Sequence, residues 1–156
     1  MRIGFGFDVH QLAGNETLWL GGLLIPHEKG TVAHSDGDVV LHALCDALLG
    51  AAKLQDIGYH FPDNSEEFKN ADSKKLLAKT NELITAKGYR IGNIDITIAA
   101  QRPRLRPYIA EMETIIAGVL QIDDEQVSVK ATTTEHLGFE GREEGISAYA
   151  AVLLEQ

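Results

Sequence analysis

Apolar residues recur at helical spacing in one segment of this chain, at Val40, Ala43, Leu44, Ala47, Leu48 and Ala51. The spacing predicts a helix that buries this stripe of side chains. Ser35 and Asp38 have the separation of a capping box, with Asp in place of Glu, so we expect the helix to begin near Ser35. Two further helices are predicted, one over residues 73–87 that ends at Gly88 and one that starts near Pro107.

Alternation of apolar and polar residues predicts the strands. Ile94, Ile96 and Ile98 alternate with less apolar neighbours, which is typical of a half-buried strand. Other strands are expected over residues 3–10, 18–25, 127–131 and 146–154. Gly21 and Gly22 make the second of these either a hairpin or a bent strand. The order β, β, α, α, β, α, β, β predicts an α+β fold, with a mixed β-sheet packed on one side by α-helices.

Length and composition limit the classes of protein that remain. A chain of 156 residues predicts a single domain over residues 1–156. The net charge of −9 argues against a nucleic-acid partner, because neutralising phosphates needs a basic surface. No membrane span or signal peptide is expected, since no apolar run approaches about 20 residues and the N-terminus lacks the three regions of a leader. The single cysteine, Cys45, indicates a reducing compartment, and we predict a cytoplasmic protein.

Three residues have the pattern of a metal site. Asp8 and His10 are two apart on the first predicted strand, so their side chains share one face, and His42 lies early in the first helix. One carboxylate and two imidazoles match zinc sites that keep a fourth position open. Alternatively, the strand pair is a surface hydrogen-bonding pair and His42 is a polar helix residue. Gly4 and Gly6 leave room beside the strand for another backbone or a ligand.

Two segments could handle phosphate. His34 and Ser35 precede the first helix, where free backbone N–H groups favour an anion, although Ser35 could merely cap that helix. The run 132–135 offers three threonine hydroxyls and a carboxylate to phosphate or to a hard cation such as Mg²⁺. Thr132 and Glu135 also have capping-box spacing, so local structure could explain both.

Two other segments are candidates for binding. The long loop over residues 55–70 has a length that is usually functional or mobile. The run 101–107 is the local basic cluster of the chain, and it is either a solvated face or a site near an anionic substrate.

Five ordered motifs resemble the 2-C-methyl-D-erythritol 2,4-cyclodiphosphate synthase family, over essentially the whole chain. They are Gly4-Phe5-Gly6-Phe7-Asp8-Val9-His10, Ala33-His34-Ser35-Asp36-Gly37-Asp38, Asp56-Ile57-Gly58 with Phe61-Pro62-Asp63, Lys130-Ala131-Thr132-Thr133-Thr134-Glu135, and Gly138-Phe139 with Gly141-Arg142.

The resemblance implies a homotrimer with active sites at the subunit boundaries. It implies conversion of 4-diphosphocytidyl-2-C-methyl-D-erythritol 2-phosphate to the 2,4-cyclodiphosphate with release of CMP, a phosphorus–oxygen lyase reaction of non-mevalonate isoprenoid biosynthesis. Asp8, His10 and His42 would bind Zn²⁺ or another divalent transition metal. Glu135 would hold Mg²⁺ or Mn²⁺ with the substrate diphosphate, and His34 and Thr133 would be catalytic.

The resemblance also implies a set of substrate-binding residues. Around the methylerythritol portion they are Asp8, His10, His34, Ser35, Asp56, Ile57, Gly58, Phe61, Pro62, Asp63, Asn64 and Ser65. Around the cytidine and the diphosphate they are Ala100, Gln101, Arg102, Pro103, Arg104, Leu105, Arg106, Ala131, Thr132, Thr133, Thr134 and Glu135. Phe139 and Arg142 match residues associated with phosphate binding near the centre of the trimer. Arg104 replaces a lysine of the family, which could alter affinity for the nucleotide phosphates.

Two other functions use the same residues. A zinc-dependent phosphoesterase would direct zinc-bound water at a phosphate and release linear products. A non-catalytic trimer that binds isoprenoid diphosphates would use Phe139 and Arg142 and keep the metal for structure alone.

Overall fold

A computed structural model of the chain describes residues 1–62 and 72–156. Its strands are β1 (Arg2–Gly14), β2 (Leu18–Leu20), β3 (Leu23–Ile25), β4 (Lys29–Thr31), β5 (Arg90–Ala99), β6 (Val127–Thr132) and β7 (Gly145–Glu155). Its helices are α1 (Val39–Ala51), α2 (Ile57–His60), α3 (Ser73–Ala86), α4 (Ile109–Leu120) and α5 (Gly138–Gly141). The three helices that the periodicity predicts are confirmed, whereas β4 and the short α2 and α5 were not predicted.

The main sheet is mixed, as predicted. Its five strands have the order β4-β1-β7-β5-β6, and β2 and β3 form a separate hairpin. All pairings in the main sheet are antiparallel except that of β5 with β6. Parallel neighbours need a crossover, which α4 supplies, and their carboxyl ends therefore meet at one edge of the sheet. Residues that follow β5 and β6 are brought together there.

The hairpin of β2 and β3 turns at Gly21 and Gly22, which confirms the first of the two alternatives for this segment. Both glycines have positive φ angles, 60° and 79°, as a two-residue hairpin turn of this kind requires.

The start of α1 differs from the sequence prediction. The helix begins at Val39, and its cap is Asp38, whose Oδ1 accepts from the backbone N–H of Leu41 at 3.0 Å. The same buried carboxylate accepts from Gly21 N at 2.9 Å and Gly22 N at 2.6 Å. A carboxylate has enough acceptor positions for all three donors, whereas a serine hydroxyl does not. Because Asp38 is the cap, the predicted cap at Ser35 is wrong. The helix therefore starts four residues after Ser35, and the first-turn N–H of Leu41 is bonded to Asp38.

Two glycines of β1 let α1 lie directly against the strand. A Cβ built on Gly4 would come within 1.9 Å of the Ala47 carbonyl oxygen, and one on Gly6 within 1.9 Å of the Ala43 carbonyl oxygen. The space beside these glycines is therefore occupied by a helix backbone. This close approach brings the first turn of α1 beside the middle of β1, where His42 contacts Asp8 and His10.

The helices cover one face of the sheet, which confirms that part of the predicted fold class. Side chains of β5 and β7 that point toward the helices are buried: Ile94, Ile96, Ile98, Ile146, Ala148, Ala150, Val152 and Leu154. On the opposite face, apolar side chains are exposed, with Ile3 80%, Phe5 66% and Phe7 46% accessible. Together with Val9 and Tyr149, these three form a strip that we call the apolar face.

No helix within residues 1–62 and 72–156 is both long enough and apolar enough to cross a membrane.

Candidate active site

Three donor atoms from two elements converge where β1 meets α1. Asp8 Oδ2, His10 Nε2 and His42 Nδ1 are each 3.2 Å from the other two. Asp8 and His10 share a face of β1, as their spacing predicts, and His42 lies one turn into α1. All three side chains are partly buried.

The spacing of these atoms fits a tetrahedral metal ion. Zinc bonds to nitrogen and carboxylate oxygen are about 2.0–2.2 Å, which places tetrahedral donors about 3.3–3.6 Å apart. The observed triangle, with all three sides at 3.2 Å, is close to that of three tetrahedral ligands. Three protein ligands leave a fourth position for water or substrate, as in catalytic zinc sites. The residues present therefore fit a divalent cation.

The electrostatics of the cluster favour a cation. Burial opposes ionisation of Asp8, but hydrogen bonds and charge from His10 and His42 outweigh it and hold the pKa of Asp8 well below its usual range. Burial likewise disfavours the charged form of His42, yet the Asp8 carboxylate raises the pKa of this imidazole above its ordinary value. The ionised Asp8 carboxylate therefore favours positive charge in the cluster. That charge can come from protons on the histidines or from a metal ion that displaces those protons.

Two further residues, Ser73 and Asp36, orient His42 through its other ring nitrogen. Its Nε2 lies 2.9 Å from Ser73 Oγ, and Ser73 Oγ donates to Asp36 Oδ1. Asp36 Oδ2 also accepts from Ser73 N at 2.7 Å. The sequence did not predict these contacts. Asp36 belongs to a motif singled out above, but Ser73 carried no signal beyond the start of a helix.

The cluster of Asp8, His10 and His42 opens into a cavity of about 310 Å³. Residues of the sequence-predicted set that line it are Asp8, His10, His34, Ser35, His42, Ile57, Gly58 and Phe61. Asp46, which was not predicted, also lines the cavity, and its Oδ1 accepts from Ile57 N at 2.7 Å. Asp46 therefore holds the 56–58 segment against α1.

Of the other predicted residues in the long loop, Asp56 and Pro62 are described by the structure. Asp56 caps α2 and accepts from Tyr59 N at 2.8 Å. Pro62 is exposed at the end of the described segment. Asp63, Asn64 and Ser65, which the resemblance places around the substrate, lie outside the described residues.

A larger cavity, of about 750 Å³, lies at the carboxyl ends of β5 and β6. Ten predicted residues line it: Ala100, Gln101, Arg102, Pro103, Arg104, Leu105, Arg106, Ala131, Thr132 and Thr133. Three unpredicted residues, His27, Ile109 and Lys130, complete the wall. This cavity shares no lining residue with the cavity beside Asp8, His10 and His42. Within one chain, the two halves of the predicted site are therefore separate.

The threonine run continues β6 into an exposed turn. Thr133 Oγ1 donates to Glu135 Oε1 at 3.3 Å and accepts from Glu135 N at 3.3 Å. No helix starts at Thr132, since the next one is α5 and its N-cap is Leu137. The capping-box alternative for Thr132 and Glu135 is therefore wrong. Both the Thr133 hydroxyl and the Glu135 carboxylate are exposed to a ligand.

Phe139 and Arg142 lie on and just after α5, and line neither of the two cavities. The Phe139 ring packs over Gly145, where an added Cβ would come within 2.9 Å of it. The Arg142 guanidinium forms a two-pronged pair with the exposed Glu144 carboxylate, at 3.1 Å from both Nε and Nη2.

Known proteins are similar to this chain in sequence and in fold. The profile of the YgbB family matches residues 1–155. A Bacteroides fragilis protein named 2-C-methyl-D-erythritol 2,4-cyclodiphosphate synthase is 64% identical over 154 residues, covering 99% of this chain and 97% of its own length.

Solved structures with similar folds belong to proteins of the same kind. The bifunctional IspDF of Campylobacter jejuni has a TM-score of 0.95 and 46% identity over 98% of this chain, which spans 42% of that longer protein. A 2C-methyl-D-erythritol-2,4-cyclodiphosphate synthase with CDP bound has a TM-score of 0.92 and 34% identity, covering 99% of this chain and 100% of the other. With a family profile over nearly its whole length and relatives this similar, the chain belongs to the YgbB family.

Proposed function

We propose that this chain converts 4-diphosphocytidyl-2-C-methyl-D-erythritol 2-phosphate to 2-C-methyl-D-erythritol 2,4-cyclodiphosphate and CMP, as a lyase of non-mevalonate isoprenoid biosynthesis. The observation that carries this function is the 64% identity, over 154 residues, to a protein named for that cyclic product. A metal-binding cluster that opens into a cavity beside His34 and Ser35 supports it. We take residues 1–156 as one catalytic domain, and place it in the cytoplasm.

The reaction needs no nucleophile from the protein. An oxygen of the substrate's 2-phosphate attacks the β-phosphorus, forming the new P–O bond of the ring. The bond from the β-phosphorus to the bridging oxygen breaks, and its electron pair leaves with CMP. Because both reacting groups belong to one molecule, holding its ends together makes the step effectively unimolecular. Cys45 fits this scheme, since burial raises the pKa of its thiol to about 12 and leaves it unreactive.

Charge is the main obstacle to the step, because two phosphates must approach one another. We assign Zn²⁺, or another divalent transition metal, to Asp8, His10 and His42, and Mg²⁺ or Mn²⁺ to Glu135 with the diphosphate. When bound, such cations offset phosphate charge and polarise the P–O bonds. His34 and Thr133 donate hydrogen bonds to phosphoryl oxygens, whose negative charge they stabilise as the ring closes.

A homotrimer would join the two separate cavities. The methylerythritol end of the substrate binds in the metal cavity, with Asp56, Ile57, Gly58 and the 61–65 segment. The cytidine end binds in the larger cavity of a neighbouring subunit, which residues 100–106 and 131–133 line. Phe139 and Arg142 bind phosphate near the centre of the trimer. The apolar face supports this assembly, because an exposed patch of that kind commonly marks an interface.

The direct test of the function is phosphorus NMR of the purified protein with the cytidylylated substrate, Zn²⁺ and Mg²⁺. Equal amounts of CMP and a cyclic diphosphate are expected. CMP together with a linear product would overturn the proposal in favour of a zinc-dependent phosphoesterase. An unchanged substrate, with metal bound and the trimer intact, would favour a non-catalytic protein that binds isoprenoid diphosphates.

Phe5→Glu should dissociate the trimer. Phe5 is 66% exposed in the single chain, at the centre of the apolar face, and a carboxylate there would have to be buried without a partner in the assembly. Sedimentation velocity is expected to show a monomer for Phe5→Glu. Leu24→Glu is the control, because Leu24 is also exposed but lies on β3 in the separate hairpin. A wild-type sedimentation coefficient for Phe5→Glu would contradict the assignment of this face.

Thr133→Ala should slow turnover by about 100-fold, since removing one donor to a transition-state oxygen typically costs that much. The side chain is exposed, so the unfolding midpoint should not change. Steady-state kinetics of CMP release would measure the effect, with Thr114→Ala, on the exposed side of α4, as the control. Wild-type turnover in Thr133→Ala would show that the Thr133 hydroxyl has no catalytic role and only forms hydrogen bonds with Glu135.

A further inference from the structure

We propose that Ser73 and Asp36 form a hydrogen-bonded chain that sets the tautomer of His42 and so prepares its Nδ1 for the metal. The proposal deepens the proposed function, because it rests on the assignment of His42 as a metal ligand. Neither residue is one of the ligands or one of the predicted substrate contacts. Both are positioning residues, which act on the metal only through His42.

The direction of each hydrogen bond follows from counting hydrogens. Asp36 accepts from two backbone donors, Ser73 N at 2.7 Å and Asp38 N at 3.1 Å, so its oxygens serve as acceptors. The Ser73 hydroxyl must therefore supply the hydrogen in its contact with Asp36 Oδ1. A serine hydroxyl has one hydrogen, and this contact uses it.

Ser73 Oγ can then only accept from His42, whose Nε2 lies 2.9 Å away. The hydrogen of this bond must come from Nε2. A neutral imidazole carries one N–H, so Nδ1 is left with a free lone pair. Nδ1 is the atom that lies 3.2 Å from both Asp8 Oδ2 and His10 Nε2, in the triangle that fits a metal. The chain thus selects the tautomer that a metal ion requires.

Another hydroxyl near His42 is a poorer partner. Ser35 Oγ lies 3.5 Å from Nε2, at the outer limit of hydrogen bonding, and it already accepts from Gly37 N at 3.2 Å. Ser73 is closer by 0.6 Å (2.9 against 3.5 Å). The shorter contact identifies Ser73 as the acceptor for Nε2.

The fold holds both members of the chain in place. Ser73 is fully buried at the first position of α3, so its hydroxyl cannot turn to solvent. Asp36 accepts from both the backbone and the side chain of Ser73, which ties the loop before α1 to the start of α3. Partners that orient a metal-bound histidine in this way typically contribute about 10- to 100-fold in metal affinity.

The test is the affinity for Zn²⁺ alone, measured without substrate by competition with a chromophoric chelator. Ser73→Ala and Asp36→Asn should each weaken Zn²⁺ binding by about 10- to 100-fold. In Asp36→Asn, the new amide can donate to Ser73 Oγ, which turns the serine hydrogen toward Nε2 and favours the wrong tautomer. Both changes act through His42, so their effects should not multiply. The double variant should bind Zn²⁺ about as weakly as the weaker-binding single variant.

Asp72→Ala is the matched control. Asp72 caps the same end of α3 by accepting from Lys74 N at 3.0 Å, without contacting His42. It should lower the unfolding midpoint and leave the Zn²⁺ affinity unchanged. Equal loss of affinity in Asp72→Ala and Ser73→Ala would overturn the proposal in favour of helix stability, and so would unchanged affinity in Ser73→Ala. If Ser73→Ala does not fold, the partly exposed Asp36 site carries the test through Asp36→Asn.

The visible spectrum of the Co²⁺-substituted protein is a second readout. Absorption from the tetrahedral Co²⁺ site should weaken or shift in Ser73→Ala and Asp36→Asn, and should be unchanged in Asp72→Ala. Neither measurement uses the cyclisation reaction. Failure of the proposed function would therefore appear in the product analysis, whereas failure of this proposal would appear in the metal affinities.

Discussion

His42→Ala should lose most of its bound zinc and at least about 10³-fold of its turnover, because the proposed cation would supply several kcal/mol of charge stabilisation to a reaction between two phosphates. Two ligands, Asp8 and His10, remain in the variant, fewer than the three that catalytic zinc sites use. The helix should persist, since its buried apolar residues are untouched. Zinc content would be measured by elemental mass spectrometry and turnover by CMP release.

His60→Ala is the control for zinc content. His60 also lies near the start of the long loop, but its Nε2 contacts the Leu54 carbonyl oxygen at 2.7 Å and it is outside the cluster. That variant should keep one zinc per site. Full zinc occupancy in His42→Ala would remove His42 from the ligand set and with it the basis for the chain through Ser73.

Gly6→Ala should destabilise the protein by more than about 4 kcal/mol, or prevent folding altogether. The added Cβ would lie 1.9 Å from the Ala43 carbonyl oxygen and 2.7 Å from Ala47 N. Both contacts are with helix backbone, so relief requires α1 to move away from β1 rather than a change of rotamer. Chemical denaturation at a fixed protein concentration would measure the loss, because the proposed trimer would make stability depend on concentration.

Two glycines provide controls for the same substitution. Gly14 is at the end of the same strand, with nothing within 4 Å of an added Cβ, so Gly14→Ala should change stability by less than about 1 kcal/mol. Gly50 lies in α1 with the same open space, and Gly50→Ala should stabilise by up to about 1 kcal/mol through helix propensity. If Gly6→Ala unfolded at the same denaturant concentration as Gly14→Ala, the close approach of helix and strand would be wrong.

The helices and most strands could be predicted because their signals are local. The apolar spacing from Val40 to Ala51 and the alternation around Ile96 report which side of each element is buried, whatever it packs against. The short strand β4 has no such signal, because its three residues pair with the end of β1 through backbone bonds. The prediction of a cap at Ser35 is wrong because the carboxylate of the true cap, Asp38, also binds the turn at Gly21 and Gly22, which is far away in the chain.

The candidate site divides in the same way. Asp8 and His10 could be paired from their spacing, since residues two apart on a strand point to one face. No local pattern places His42 against them, or Ser73 behind His42. The sequence indicates Ser73 only as the start of a helix. Its contacts are with His42 and Asp36, which precede it by 31 and 37 positions.

The sequence by itself determined the α+β class, the three long helices and the chemistry of the three donors. The tertiary structure decided how those donors meet. Gly4 and Gly6 admit the backbone of α1, and that approach sets the 3.2 Å triangle of Asp8, His10 and His42. The physical reason is range: periodicity records burial along one element, whereas a metal site depends on distances between elements that packing alone fixes.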